Sequence, residues 1–171
     1  MYAITFVVYC GSISFSPVLS RLIHTTWPMK IETAYYDRCI DTLEKAYGLL
    51  LKADRELIDY DMYRSACIKE FEIILEQSGK LLRKALKPYF HSSNAVDKLY
   101  FNDVFRQAVL RSIISSELCE RFLEYRENRN NTAHDYDVNL TEEMLVSIPR
   151  FMLDARQFSE AINQQNHAPQ G

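Results

Sequence analysis

The sequence predicts an all-helical fold, an up-and-down bundle of four main helices plus a short one. Three observations support this. Apolar residues recur at i, i+3, i+4 and i+7 along extended stretches, most cleanly at Tyr36, Cys39, Ile40, Leu43, Tyr47 and Leu50. Only 4 glycines and 5 prolines occur in 171 residues, too few for a turn-rich β architecture. No internal repeat, low-complexity tract or second domain interrupts the pattern, and about 130 residues suffice for a real core.

The elements follow in order. Residues 1–28 stand apart. Met1 to Cys10 is apolar and β-branched, Gly11 to Pro17 reads as loop, and His24 to Pro28 is a second break. No basic segment precedes the apolar run, which is too short to span a bilayer, so neither a signal peptide nor a membrane helix is expected. We read residues 1–28 as an extension upstream of a natural start at Met29; the rival reading is a strand or short helix packed on the bundle. A first helix is expected from Ile31 to Lys52. A second should run from Asp61 to Lys87, with Cys67, Phe71, Ile74, Leu75, Ser78 and Leu82 on its apolar face and Pro88 ending it. Phe90 to Leu99 reads as a loop in which His91 is solvated. A short helix follows from Phe101 to Ile114. The fourth, capped by Ser115 or Ser116, should end between His134 and Asp137. The last should begin at Thr141, kink at Pro149 and end at Ile162, leaving residues 164–171 as a disordered tail.

A net charge of -3 predicts no nucleic-acid partner from bulk electrostatics, so any such contact has to come from a local basic patch. Lys80, Arg83, Lys84 and Lys87 near the end of the second helix allow two readings. They are either cations favourably placed at a helix C-terminus or a phosphate-tracking patch. Cys10, Cys39, Cys67 and Cys119 form no CxxC pair, which argues against a zinc knuckle; the last three read as small buried hydrophobes in a reducing, cytoplasmic setting. There is no Gly-rich phosphate loop and no nucleophile elbow, and no cofactor is expected.

The fourth helix breaks its own pattern. With Leu118 as origin and about 100° per residue, Phe122, Cys119, Leu123 and Ala133 define a core-facing stripe. Arg126, Arg129, Asn130 and Tyr136 fall within that same arc, while Glu120, Glu124, Glu127, Asn128, Asn131 and Asp135 fill the opposite one. Charge on an inward stripe is costly unless it is paired or kept for chemistry. An Arg–His pair suits cleavage of a phosphodiester without a metal: histidine moves a proton near neutral pH, and arginine supplies fixed donors to the phosphoryl oxygens. His134 has only Asp135 as a nearby acid, and adjacent helical residues diverge by about 100°, a poor metal sphere. Arg129 and His134 are themselves splayed by about 140° on a straight helix. Either the helix unwinds near His134, or two chains share the site.

The segment Arg129-Asn130-Asn131-Thr132-Ala133-His134-Asp135-Tyr136 resembles the R-N-x-x-x-H-x-Y signature of the HEPN superfamily, and within it the HepT branch. Phe71-Glu72-Ile73-Ile74-Leu75-Glu76-Gln77-Ser78-Gly79-Lys80 resembles that branch's F-E-x-x-x-E-x-x-x-K helix. The resemblance covers residues 29–163. It implies a symmetric homodimer with both motifs lining one cleft, and an endoribonuclease in which Arg129 holds phosphate, His134 transfers the proton and Asn130 orients the site. It also implies that Glu72 or Glu76 pairs with Arg126 or Arg129. The partner it implies is a minimal nucleotidyltransferase antitoxin of the MntA type, with Tyr136 as acceptor of AMP. From the residues alone, Tyr136 reads equally as an aromatic packed at a helix end. A different class remains beside the ribonuclease: a non-catalytic subunit presenting a nucleotide or substrate to that transferase.

Overall fold

A computed structural model describes residues 30–134 and 138–166, with the side chains of 131–134 and 138–143 left out. Six α-helices follow one another: α1 Ala34–Leu50, α2 Ile58–Leu86, α3 Ser93–Asp97, α4 Phe101–Leu110, α5 Ser116–His134 and α6 Val138–Gln165. No strand occurs among the described residues. Helices α1 and α2 are antiparallel, as are α5 and α6, and α6 also runs against α1, so that Asp37 meets Ser159 while Asp41 and Glu44 meet Arg156. No helix among the described residues is long and apolar enough to cross a membrane.

The helical face of each element explains its place. Tyr36, Ile40 and Leu43 of α1, Phe71, Ile74 and Leu82 of α2, Phe105 of α4, Phe122 of α5, and Phe151 and Phe158 of α6 are all fully buried. Their rings interlock at the centre, with Phe71 and Phe151 centroids 4.2 Å apart and Phe122 and Phe158 5.2 Å apart. Aromatic pairs at such spacing add to what burial alone contributes. Cys39, Cys67 and Cys119 are buried free thiols, and burial pushes Cys67 up to about 11.

Several boundaries differ from expectation. The stretch expected to be loop contains α3, started by the Ser92 hydroxyl accepting from the Ala95 N–H. His91 is exposed, as expected. Helix α4 stops at Leu110 rather than Ile114. Ser112 there adopts φ 55°, and its N–H and that of Ile113 donate to the carbonyls of Val109 and Ala108. This is a Schellman stop with serine where glycine is usual. Helix α6 begins at Val138 instead of Thr141 and continues past Ile162 to Gln165, with Pro149 inside it. The residues expected to open the tail are therefore ordered. Asn166 accepts from the Ile31 N–H at 2.8 Å and donates to the Ile31 carbonyl at 3.0 Å, while Asn163 bonds the Thr33 hydroxyl. Residues 167–171, and the extension expected at 1–28, lie outside the described residues.

Candidate functional site

Helix α5 changes character one turn after Phe122. Tyr125 is still core: its hydroxyl donates to Asp154 of α6 at 2.7 Å, and Arg121 Nε donates to the same carboxylate oxygen at 2.7 Å. Burial, reinforced by the bond to Asp154, pushes the Tyr125 phenol well above its ordinary range. From Arg126 to Asn130 the stripe is no longer fully covered. The reason is the length of α4, which runs against α5 with Phe105 stacked on Phe122 and starts at Phe101, directly beneath Arg126.

The expectation that Arg126, Arg129 and Asn130 continue the buried stripe is thus corrected: they form its open rim. Arg126 is half-buried, with its guanidinium carbon 4.5 Å from the centroid of the Phe101 ring, a cation–π arrangement. Arg129 keeps 40% of its side chain exposed and pairs with Glu72 of α2 at 3.4 Å. Asn130 is exposed, since its position on the helix lies about 80° from that of Phe122, the centre of the covered arc. The side chain of His134 and all of Tyr136 lie outside the described residues. The backbone remains helical to His134, so the positions of Arg129 and His134 stay about 140° apart around α5.

Of the two glutamates expected to hold an arginine, Glu72 does so, and it also lies 3.6 Å from Lys69. Glu76 pairs instead with Lys80 one turn on, at 2.6 Å; that lysine first, and Arg129 to a smaller extent, holds the Glu76 carboxyl below the usual range. Arg126 meets no carboxylate among the described residues. Burial and then the like charges of Arg129 and Arg83 pull it below the ordinary guanidinium range. Among the described residues, five cations (Lys69, Lys80, Arg83, Arg126 and Arg129) thus lie about Glu72 and Glu76, a local positive excess on a chain whose net charge is -3.

An open cleft lies against this cluster, lined by Glu76, Lys80, Arg83, Leu99, Tyr100, Phe101 and Arg126. Gly79 shapes its floor: a Cβ there would stand 3.2 Å from Phe101 and 3.3 Å from Arg83, so the bare backbone lets both side chains close over α2. Arg83 is anchored by donating to the Leu99 carbonyl at 2.9 Å. Lys84 of α2 is exposed, and Lys87, in the 3-10 turn Lys87–Tyr89 that follows, is half-buried. Sequence reasoning named Arg126, Lys80 and Arg83 but not Leu99–Phe101, because nothing in a chain pattern places the start of α4 beside α5.

The fold and this rim define a class: a helical bundle with an arginine-rich, electropositive edge on its fifth helix. Residues 33–164 match the family described as nucleotidyltransferase substrate binding protein like, and the chain belongs to that family. It is similar to a Haemophilus influenzae protein named probable ribonuclease HepT, 24% identical over 106 residues that make up 62% of this chain and 71% of the relative. It also resembles the solved structure of HI0074 from the same organism, reported as the fold of a substrate binding domain of a nucleotidyltransferase. That match has a TM-score of 0.63 at 20% identity, over 80% of this chain and 100% of the other.

Proposed function

We propose that this protein is a metal-independent endoribonuclease acting through Arg129 and His134, the toxin half of a pair with a minimal nucleotidyltransferase of the MntA type. In this reading Arg129 neutralises the scissile phosphate. His134 takes the proton of the RNA 2′-hydroxyl or delivers one to the leaving oxygen. Glu72 fixes the Arg129 guanidinium, and Asn130 contacts the RNA backbone or orients the site. The observation that carries the reading is the Glu72–Arg129 pair at 3.4 Å beside the uncompensated Arg126, on the helix that bears His134. An arginine oriented by Glu72 and 40% exposed presents its charge toward solvent, where an anion can approach.

Two chains complete the site. Arg129 and His134 diverge on one helix, and the described residues leave the face that carries Arg126, Arg129 and Asn130 at least partly open. A two-fold axis near α5 would bring one chain's arginine to its partner's histidine. The partner transferase adds AMP to Tyr136, two residues from His134, where the added negative charge repels RNA phosphate.

RNA incubated with AMP-free protein tests this directly. The parent cleaves, and His134→Ala falls by roughly a hundredfold or more. Cleavage by neither protein moves the assignment to the second reading, a non-catalytic subunit that presents a nucleotide or substrate to the transferase. The family description and the report of the HI0074 fold both favour that alternative. For Tyr136, incubation with the transferase and ATP, followed by mass spectrometry of the parent and Tyr136→Phe, shows addition of AMP to the parent alone.

A further inference from the structure

We propose that the cleft between α2 and the start of α4 is a nucleotide subsite, in which the Tyr100 ring stacks on a base of single-stranded RNA and Arg83 and Arg126 hold the adjoining phosphate. The RNA as occupant rests on the ribonuclease reading above; the site itself rests on geometry.

Three consecutive residues thread between two guanidinium groups. Arg83 of α2 bonds the carbonyl of Leu99, and Arg126 of α5 covers the ring of Phe101. Between them stands Tyr100, the residue that precedes α4, with 81% of its surface exposed. A large aromatic residue so open to water contributes nothing to the core, and its backbone is fixed from both sides. Its ring presents a free face from a chain position held on either side. The charges beside it favour an anion. Glu76, the one carboxylate lining the cleft, is already taken up by Lys80 at 2.6 Å, and Arg126 has no carboxylate partner among the described residues. The cleft of about 350 Å³ is at the small end of the range for ligand sites, about 300–1,000 Å³. An aromatic face beside backbone-neutralising cations is how proteins grip a single strand without reading its sequence. The cleft borders Arg126, one turn from Arg129 on α5. A strand held there continues toward the reacting phosphate.

The test uses the full chain carrying His134→Ala, so that RNA survives, and follows a short labelled single-stranded RNA by fluorescence anisotropy. Adding Tyr100→Ala should weaken binding about tenfold, while Tyr100→Phe should restore it, because stacking needs the ring and not the hydroxyl. Adding Arg83→Gln should lower the slope of log affinity against log salt by about 0.7, the loss of one phosphate contact to a single strand. An unchanged affinity in Tyr100→Ala together with an unchanged slope in Arg83→Gln overturns the proposal. Calorimetry with free AMP separates the sources. If Tyr100→Ala weakens AMP but not RNA, the strand assignment is wrong. The two readings fail separately: RNA bound through Tyr100 but never cleaved by the parent refutes the nuclease and keeps the subsite. Cleavage that needs His134 but ignores Tyr100 does the reverse.

Discussion

Two arginine clusters sit on successive turns of α5, and they are solved in opposite ways. Arg121 meets Asp154, whose carboxylate also receives the Tyr125 hydroxyl; the acid is only 6% exposed, and Gln157 takes another Arg121 donor at 3.2 Å. Arg121 Nε, Arg121 Nη2 and the Tyr125 hydroxyl each have an acceptor there. One turn on, Arg126 rests on an aromatic ring, and Arg129 shares Glu72 with Lys69. The first cluster closes on itself and joins α5 to α6. The second is left electropositive and open. The same residue type on the same helix therefore joins two helices or stands at the rim according to what the neighbouring helices bring to it.

The comparison can be broken at either cluster. The largest effect is expected from Asp154→Ala, which strands the Arg121 guanidinium and the Tyr125 hydroxyl. Stability in urea should fall by roughly 3 kcal/mol, while RNA affinity per folded molecule stays that of the parent. Glu72→Gln should behave the other way. The pair it breaks is half exposed and costs below about 1 kcal/mol of stability, but Arg129 loses its orienting charge and RNA cleavage should slow about tenfold. Equal stability losses in the two variants would erase the distinction.

Ser112→Gly lies outside both clusters and serves as the control on fold stability. It relieves a left-handed backbone at the Schellman stop, so urea denaturation should show a gain of about 1 kcal/mol with cleavage unchanged. The smallest effect belongs to Glu76→Gln. Lys80 depresses the Glu76 carboxyl in the folded chain, so the pair stabilises the protein above the unfolded carboxylate pKa, and that contribution is lost as pH falls through the lower folded value. The variant should therefore show a slightly flatter acid limb in thermal melts taken from pH 6 to about pH 3. The change is small because Glu76 is mostly exposed.

The helices were legible because burial on one face imposes a 3.6-residue period, and Phe71, Ile74, Phe122 and Phe105 follow it. Helix α3 was not legible, since five residues are too few to show a period; only the Ser92 cap marks it. The Glu72–Arg129 pair followed from the motif resemblance together with the helical face on which Glu72 sits. The rim position of Asn130 and Arg129 was missed because a helical wheel assumes cover along the whole stripe, whereas α4 begins opposite Arg126. Asp154 and Tyr100 carried no local signal: one acts through residues 29 and 33 positions away, the other through a helix start that only the folded chain brings near α5.

The asparagine clasp between Ile31 and Asn166 has a practical corollary. It stitches the opening of α1 to the close of α6, away from Arg129: Arg150 reaches Glu124 near the rim, and Asn163 lies 13 residues later, roughly 20 Å along the rod. A short loop could bridge residue 166 to residue 30, and a circular permutant opened at the exposed turn between α1 and α2 would keep every helix intact. Tethers built out from residue 30 or residue 166 would depart from the end opposite Arg129.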